Sequence, residues 1–595
     1  MRGRNRRFAL LMALCLLLSF AHLPDAEADG PSADAVLANM SLREKICQMI
    51  IPSLRYVLDN EGNMHVVTEM PSLVENALKK YPFGGVILFT ENTAENDQTA
   101  RLIRQLQTAS AAGGNRAQLF VAIDQEGGKI TRLGEGTQMP GNMALGALND
   151  ADASYEAAGI IGQELKTLGF HLDFAPVLDL NSNPSNPVIG LRSFSSDTVL
   201  ASRHGVSFMR GLRDNGIIAT LKHFPGHGDT DVDSHKGLPV LTFGRSRLDS
   251  LELYPYRRLI DEGVAMIMVG HLSIPALDST GTPASISKPI VTGLLRGEMG
   301  YKGIIITDAL GMKGVAEGNA NAALLAYKAG ADILLMPQDT RQTIDELDAA
   351  FRSGELDEAD LDTRVRRVLG LKQRSGMLAP GYSPYVDTTG LAAKARRPET
   401  ESLIQTLCDR SMTVVKGKLR RPLRLRGTKP RVAYVAFNAV SPESACFEEE
   451  LTKAGRVARF DLPGDATPEQ IDSVGALLKG YRKVIVGFHS GKPRPRSGGP
   501  QRFASVEEAQ FVRIAGWARR HKLYGFYLGN PYDLDKLPGF NRFRTFIIGY
   551  SDTRYNNIAA ARALTVRGSA RGSLPVGAAG LPAGFHSNRI KNQSR

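Results

Sequence analysis

Gly216-Ile217-Ile218-Ala219-Thr220-Leu221-Lys222-His223-Phe224-Pro225-Gly226-His227-Gly228-Asp229-Thr230-Asp231-Val232-Asp233-Ser234-His235 begins as an apolar run and ends as a cluster of ionisable groups. Residues 216–221 read as a buried strand, because a short β-branched and aliphatic run follows the turn residues Asp214-Asn215-Gly216. Lys222 and His223 then fall at the carboxyl end of that strand, and Pro225, Gly226 and Gly228 turn the chain into a loop. Titratable groups on a loop hung from a rigid strand mark a working site more often than a structural one.

Seven more short apolar runs lie between residues 40 and 340: Ile46–Ile51, Gly85–Phe89, Leu119–Ile123, Leu172–Val177, Val264–Val269, Gly303–Ile306 and Asp332–Met336. Enough polar or amphipathic sequence separates them to hold helices, as at Ala153–Leu168 and Ala322–Ala329. Eight strands alternating with helices predict a (β/α)8 barrel, of the TIM type, over residues 29–380. Asp124, Asp179, Lys222 with His223, His271 and Asp308 stand just after five of the runs. In such a barrel the carboxyl ends of the strands share one face, so five strands aim polar groups at it. A closing helix is patterned by Leu361, Val365, Val368, Leu369 and Leu371. A linker is expected over 381–410, and a smaller α/β three-layer sandwich domain over 411–595. Its strands are read at Met412–Val415, Val432–Ala436, Lys483–Gly487, Leu523–Leu528 and Thr545–Ile548, with a helix at Val506–Arg520.

Arg2, Arg4, Arg6 and Arg7 precede an apolar stretch from Phe8 to Phe20 and the small-x-small triplet Ala26-Glu27-Ala28, the pattern of a secretory signal peptide over residues 1–28. That stretch falls short of the roughly 20 apolar residues needed to span a bilayer, so an exported protein, periplasmic or secreted, is expected. Cys15 would leave with the signal. Cys47, Cys408 and Cys446 are too sparse for a disulfide framework, with a Cys408 to Cys446 bridge left open, and no Cys/His spacing suits zinc. The formal charge of +12 is uneven: residues 411–595 hold 32 Lys and Arg against 13 Asp and Glu. Arg420, Arg421, Arg424, Arg426, Lys429, Arg431 and the run Lys492-Pro493-Arg494-Pro495-Arg496 contribute. This surplus is either a solvated surface or an attraction to an anionic cell-wall or membrane surface. No nucleic-acid-binding motif accompanies it, so no nucleic acid partner is expected.

The Lys222–His235 segment resembles the Lys-His-Phe-Pro-Gly-His-Gly and Asp-Ser-His elements of glycoside hydrolase family 3, in its β-N-acetylglucosaminidase branch. Ile304-Ile305-Ile306-Thr307-Asp308 resembles that family's nucleophile motif, which makes Asp308 the group that attacks the anomeric carbon. The resemblance assigns His235 as acid/base, with Asp233 orienting it and favouring its protonated form. A carboxylate beside a histidine raises its affinity for the proton that the leaving oxygen needs. Asp124-Gln125-Glu126-Gly127-Gly128-Lys129-Ile130-Thr131-Arg132 resembles a sugar-binding segment of the family, implying that Asp124 and Arg132 contact hydroxyls. Arg192-Ser193-Phe194 resembles another, placing Arg192 in the pocket with Lys222 and His223. Leu528-Gly529-Asn530-Pro531-Tyr532-Asp533-Leu534 and Gly572-Ser573-Leu574-Pro575-Val576 are similar to parts of the family's second domain.

The resemblance therefore implies a retaining exo-β-N-acetylglucosaminidase that removes terminal N-acetylglucosamine from β-linked peptidoglycan or chitin fragments, with no metal and no cofactor. A β-glucosidase or β-xylosidase, phosphorolysis in place of hydrolysis, and a non-catalytic wall-binding protein are the alternatives. Gly226 and Gly228 are expected to let the His235 loop move.

Overall fold

The computed structural model describes residues 30–587 except 60, 380–381, 383–389, 396–397, 419–421, 424, 426–430 and 491–505. The expected signal peptide, the basic residues Arg420, Arg421, Arg424, Arg426 and Lys429, and the Lys492–Arg496 run lie outside the described residues.

Each of the eight apolar runs contains a strand: β1 (Ile50–Ile51), β2 (Gly85–Ile87), β3 (Phe120–Ile123), β4 (Leu172–Asp173), β5 (Ile218–Phe224), β6 (Met266–Val269), β7 (Ile304–Thr307) and β8 (Leu334–Leu335), although Ile46–Gln48 of the first run close the helix Leu42–Gln48 instead. β2 to β7 pair in parallel, each with the next in sequence. β1 pairs in parallel with β8. Parallel bridges Ser53 to Ile87 and Ile306 to Ile333 join that pair to both edges, so the ring closes. Closure removes the unpaired edges that an open sheet would leave. Inside it, Phe120, Ala122, Leu172, Phe174, Met266, Met268, Ile304 and Ile306 form one apolar cluster. The closing helix α1 (Glu358–Arg374) adds Val368 and Leu371 to this cluster. Its buried Lys372 donates to Gln48 Oε1 at 2.9 Å, near the start of β1. Burial pushes that ammonium down to about 7. The amino ends of the strands are thereby sealed, and the carboxyl ends are left for chemistry.

Strand β5 extends past the expected end at Leu221 to Phe224, so Lys222 and His223 belong to the strand itself. The expected linker also differs: helices at Leu391–Ala395 and α2 (Pro398–Ser411) occupy part of it. Ile404, Leu407 and Cys408 recur at helical spacing and are buried, which explains why this stretch folds onto the core.

Among the described residues, six strands form the second sheet: β9 (Thr413–Lys416), β10 (Val432–Phe437), β11 (Ala458–Leu462), β12 (Lys483–Phe488), β13 (Lys522–Leu528) and β14 (Thr545–Gly549). Their order is β9-β14-β13-β12-β10-β11, parallel except for β9. Strand β11 has no counterpart among the five expected strands. It is an edge strand in which exposed Arg459 and Asp461 alternate with partly buried Ala458 and Phe460 before buried Leu462, so it lacks a continuous apolar run. The expected helix at 506–520 is shorter, α3 (Glu508–Ala515), followed by a 3-10 turn. Tyr532 donates to Asn181 O at 2.6 Å and Ser195 Oγ to Pro575 O at 2.5 Å, tying this domain to the loop after β4. Cys47, Cys408 and Cys446 are free thiols, so the possible Cys408 to Cys446 bridge is not formed. Among the described residues, no helix is long and apolar enough to cross a membrane.

Candidate active site

The carboxyl face carries a buried charge cluster built on Lys222. Its Nζ lies 2.7 Å from Asp124 Oδ1 and 2.7 Å from Glu126 Oε1, and its side chain is 3% exposed. Arg192 grips the same Glu126 with two bonds, Nε to Oε2 at 2.9 Å and Nη2 to Oε1 at 2.7 Å. Burial alone would raise the Glu126 carboxyl, but Arg192 and Lys222 outweigh it and hold the group well below the carboxylate range. Lys222 and Arg192 are both raised in return, against the cost of burial. Arg132 Nη2 sits 3.9 Å from Asp124 Oδ2. Fixed donors and acceptors therefore converge at the ends of β3 and β5, a mixture that suits the hydroxyls of a sugar ring.

His223 is oriented from beneath. Its Nδ1 lies 2.7 Å from Asp179 Oδ2, and its backbone N–H donates to Asp179 Oδ1 at 3.2 Å. Asp179 is buried and its carboxyl is lowered, burial being outweighed by the two neighbouring imidazoles, His223 and His227. An ionised Asp179 accepts the Nδ1 proton and leaves Nε2 of His223 as the atom available to a ligand.

Asp308 follows β7 directly, with its N–H bonded to Val269 O at 2.9 Å. Oδ1 accepts from the Ala309 N–H at 2.7 Å, and the next helical turn begins only at Lys313, so Asp308 caps no helix. Burial opposes its ionisation, yet His271, His223, the Ala309 N–H and His235 bring its carboxyl down to about 2. A carboxylate that stays ionised is what nucleophilic attack requires.

On the loop after β5, His235 Nδ1 meets Asp233 Oδ1 at 2.9 Å, and the His235 N–H donates to the same oxygen at 3.0 Å. The bond to Asp233 raises the imidazole pKa; partial burial opposes it, and Asp308 adds to the rise. Asp233 is lowered correspondingly, first by its bond to His235. The carbonyl of Ser234 accepts from Gly314 N–H at 3.0 Å, which ties the loop to the segment after Asp308. An imidazole whose proton is favoured and an ionised carboxylate, carried after two different strands, thus lie within each other's electrostatic reach.

A model of the glycosyl hydrolase family 3 N terminal domain matches residues 41–371. The chain belongs to glycoside hydrolase family 3. It is 34% identical over 385 residues to beta-hexosaminidase A of Pseudoalteromonas piscicida, covering 60% of this chain and 63% of that relative. The chain thus spans less than two thirds of that relative's length. It is also 34% identical over 350 residues to beta-hexosaminidase LpqI of Mycobacterium tuberculosis, 56% of this chain and 84% of the relative. A solved glycoside hydrolase family 3 beta-N-acetylglucosaminidase from Paenibacillus sp. str. FPU-7 superposes with TM-score 0.76 at 32% identity, over 92% of this chain and all of that one. Within family 3, the chain therefore groups with the β-hexosaminidases.

The fold brings all eight expected residues to one face, together with two that the sequence left unassigned. Glu126 lies inside the Asp-Gln-Glu-Gly-Gly segment and is the carboxylate that both Arg192 and Lys222 are built around. The motif that pointed to Asp124 could have pointed to it. His271 lies against the segment after β7, its Nε2 3.0 Å from Ala309 O and its Nδ1 2.7 Å from Ser285 Oγ. Its position after the sixth apolar run was the available signal. The glycines of the loop also have a packing role. A Cβ on Gly228 would lie 1.7 Å from Leu180 O, and Gly226 has φ +136° against Glu252. Both are needed for close packing at the base of the loop.

Proposed function

We propose that this chain is an exported retaining exo-β-N-acetylglucosaminidase acting on β-linked peptidoglycan or chitin fragments. The observation that carries this reading is an ionised Asp308 beside a raised His235 imidazole that Asp233 holds by hydrogen bond. Asp308 attacks the anomeric carbon while the bond to the leaving oxygen breaks, and His235 gives that oxygen its proton. His235 then takes a proton from water, which attacks the same carbon and releases the sugar and the Asp308 carboxylate. Asp124, Arg132, Arg192, Lys222 and His223 hold the ring, and Glu126 keeps the cations in place.

The kinship with enzymes named β-hexosaminidase and β-N-acetylglucosaminidase supports the choice of sugar. Asp308→Ala should lower turnover of an aryl N-acetylglucosaminide by roughly 10⁴-fold or more, and His235→Ala by about 10²- to 10⁴-fold. Near-normal rates in either variant would sink the assignment. Release of sugar 1-phosphate in phosphate buffer would replace hydrolysis with phosphorolysis. The positive surplus after residue 411 supports attraction to an anionic wall polymer, which salt-sensitive sedimentation with peptidoglycan would reveal.

A further inference from the structure

Of the three histidines in residues 222–235, His227 neither faces sugar nor carries the catalytic proton. It is buried, with its ring edge-on to His223 at 5.9 Å between centroids. Its backbone N–H donates to Asp179 Oδ1 at 2.7 Å, the carboxylate that also orients His223. Its Nδ1 lies 2.7 Å from Thr230 Oγ1, and its Nε2 lies 3.1 Å from Ser234 Oγ.

One arrangement of hydrogens satisfies every partner. Thr230 donates its single hydroxyl proton to His227 O at 3.1 Å, so its oxygen accepts from Nδ1–H. Burial, with His223 beside it, pushes the His227 imidazole down to about 4, so at neutral pH the ring has one proton, on Nδ1. Nε2 is then the acceptor for the Ser234 hydroxyl. Ser234 is buried, whereas the neighbouring His235 side chain is 67% exposed.

We propose that His227 is the positioning residue of the acid/base, holding Ser234 through Nε2 and so fixing Asp233 and His235 over the Asp308 side of the barrel. Asp233 and His235 flank Ser234, and the turn is internally braced by Lys236 N–H to Asp233 O at 2.8 Å. The segment therefore moves as one piece, and its anchors decide where the imidazole sits. One anchor is the Gly314 N–H on the Ser234 carbonyl, from the segment after the nucleophile. The other is His227, fixed to the strand that holds the sugar. This assignment rests on His235 being the acid/base.

The test compares kcat/KM for two N-acetylglucosaminides. One has an unactivated leaving group, N-acetylglucosamine in chitobiose, which needs a proton; the other has 2,4-dinitrophenolate, which needs none. A displacement on the order of 1 Å at a catalytic group costs about 100-fold. His227→Ala and Ser234→Ala should each lose about that factor on chitobiose and stay within about threefold on the dinitrophenyl substrate. The double variant should be no worse than either single one, because both break the same link. His227→Gln, whose amide oxygen can accept from Ser234, should recover most of the loss. If His227→Ala fails to fold, Ser234→Ala, which removes one hydroxyl, carries the comparison. His235→Ala is the reference: if it is not selective for the unactivated substrate, the acid/base reading itself fails. If His235→Ala is selective while His227→Ala and Ser234→Ala slow both substrates equally, or neither, the positioning role is overturned.

Discussion

Lys222 and His235 come from one stretch of chain but work in opposite surroundings. The Lys222 side chain is 3% exposed and locked between two carboxylates, whereas the His235 side chain is 67% exposed and held by Asp233 at 2.9 Å. The buried cluster derives its strength from low dielectric, where fixed charges can hold a polar ligand firmly but any unpaired member is costly. On the proposed mechanism, the exposed His235 gives up that strength so that a proton can be exchanged with a leaving oxygen and then with water. Burial suits binding, and exposure suits proton traffic.

The contrast can be broken most forcefully at Glu126. Glu126→Gln leaves Lys222 and Arg192 short of their shared counter-charge, and should lower unfolding free energy by about 3–5 kcal/mol in a denaturant titration. A loss under about 1 kcal/mol would mean that the cluster is not stabilised by pairing. At the base of the loop, Gly228→Ala drives a Cβ into Leu180 O and should cost about 1–3 kcal/mol. An unchanged melting temperature would show that the base is loose, as a freely moving loop requires. The smallest effect is expected on the exposed side. Asp233→Asn removes the carboxylate that raises the His235 pKa, with little effect on stability. A general acid is active in its protonated form, so kcat/KM falls as pH rises through its pKa. The alkaline limb of the kcat/KM profile should therefore move to lower pH in Asp233→Asn. A limb that stays in place, or moves upward, contradicts Asp233 as the group that holds the proton on His235.

Much of this was legible in the sequence, for identifiable reasons. Each barrel strand is a short apolar run because both of its faces are buried, so all eight runs could be seen. The site residues after them were visible because barrel geometry places strand ends on one face. Strand β11 was not, since an edge strand with exposed alternate residues, Arg459 and Asp461 among them, has no such run. The helix after residue 398 was obscured by the proline-bearing stretch before it. Glu126 was missed because its partners lie 66 and 96 residues further along the chain. Pairing of that kind depends on closure of the barrel, and no local spacing encodes it. The packing role of Gly226 and Gly228 was hidden for a related reason: permissive backbone and tight packing demand the same residue, and only the fold brings the Leu180 backbone against Gly228.

The most direct test of the account is to trap the covalent intermediate. The His235→Ala enzyme is incubated with a fluorinated N-acetylglucosaminyl donor whose good leaving group needs no acid, and the digested protein is weighed by mass spectrometry. One fluorinated N-acetylglucosaminyl unit should be found on the peptide carrying Asp308. An adduct on Asp124 or Asp233, or turnover with no adduct and inversion at the anomeric carbon, would contradict it.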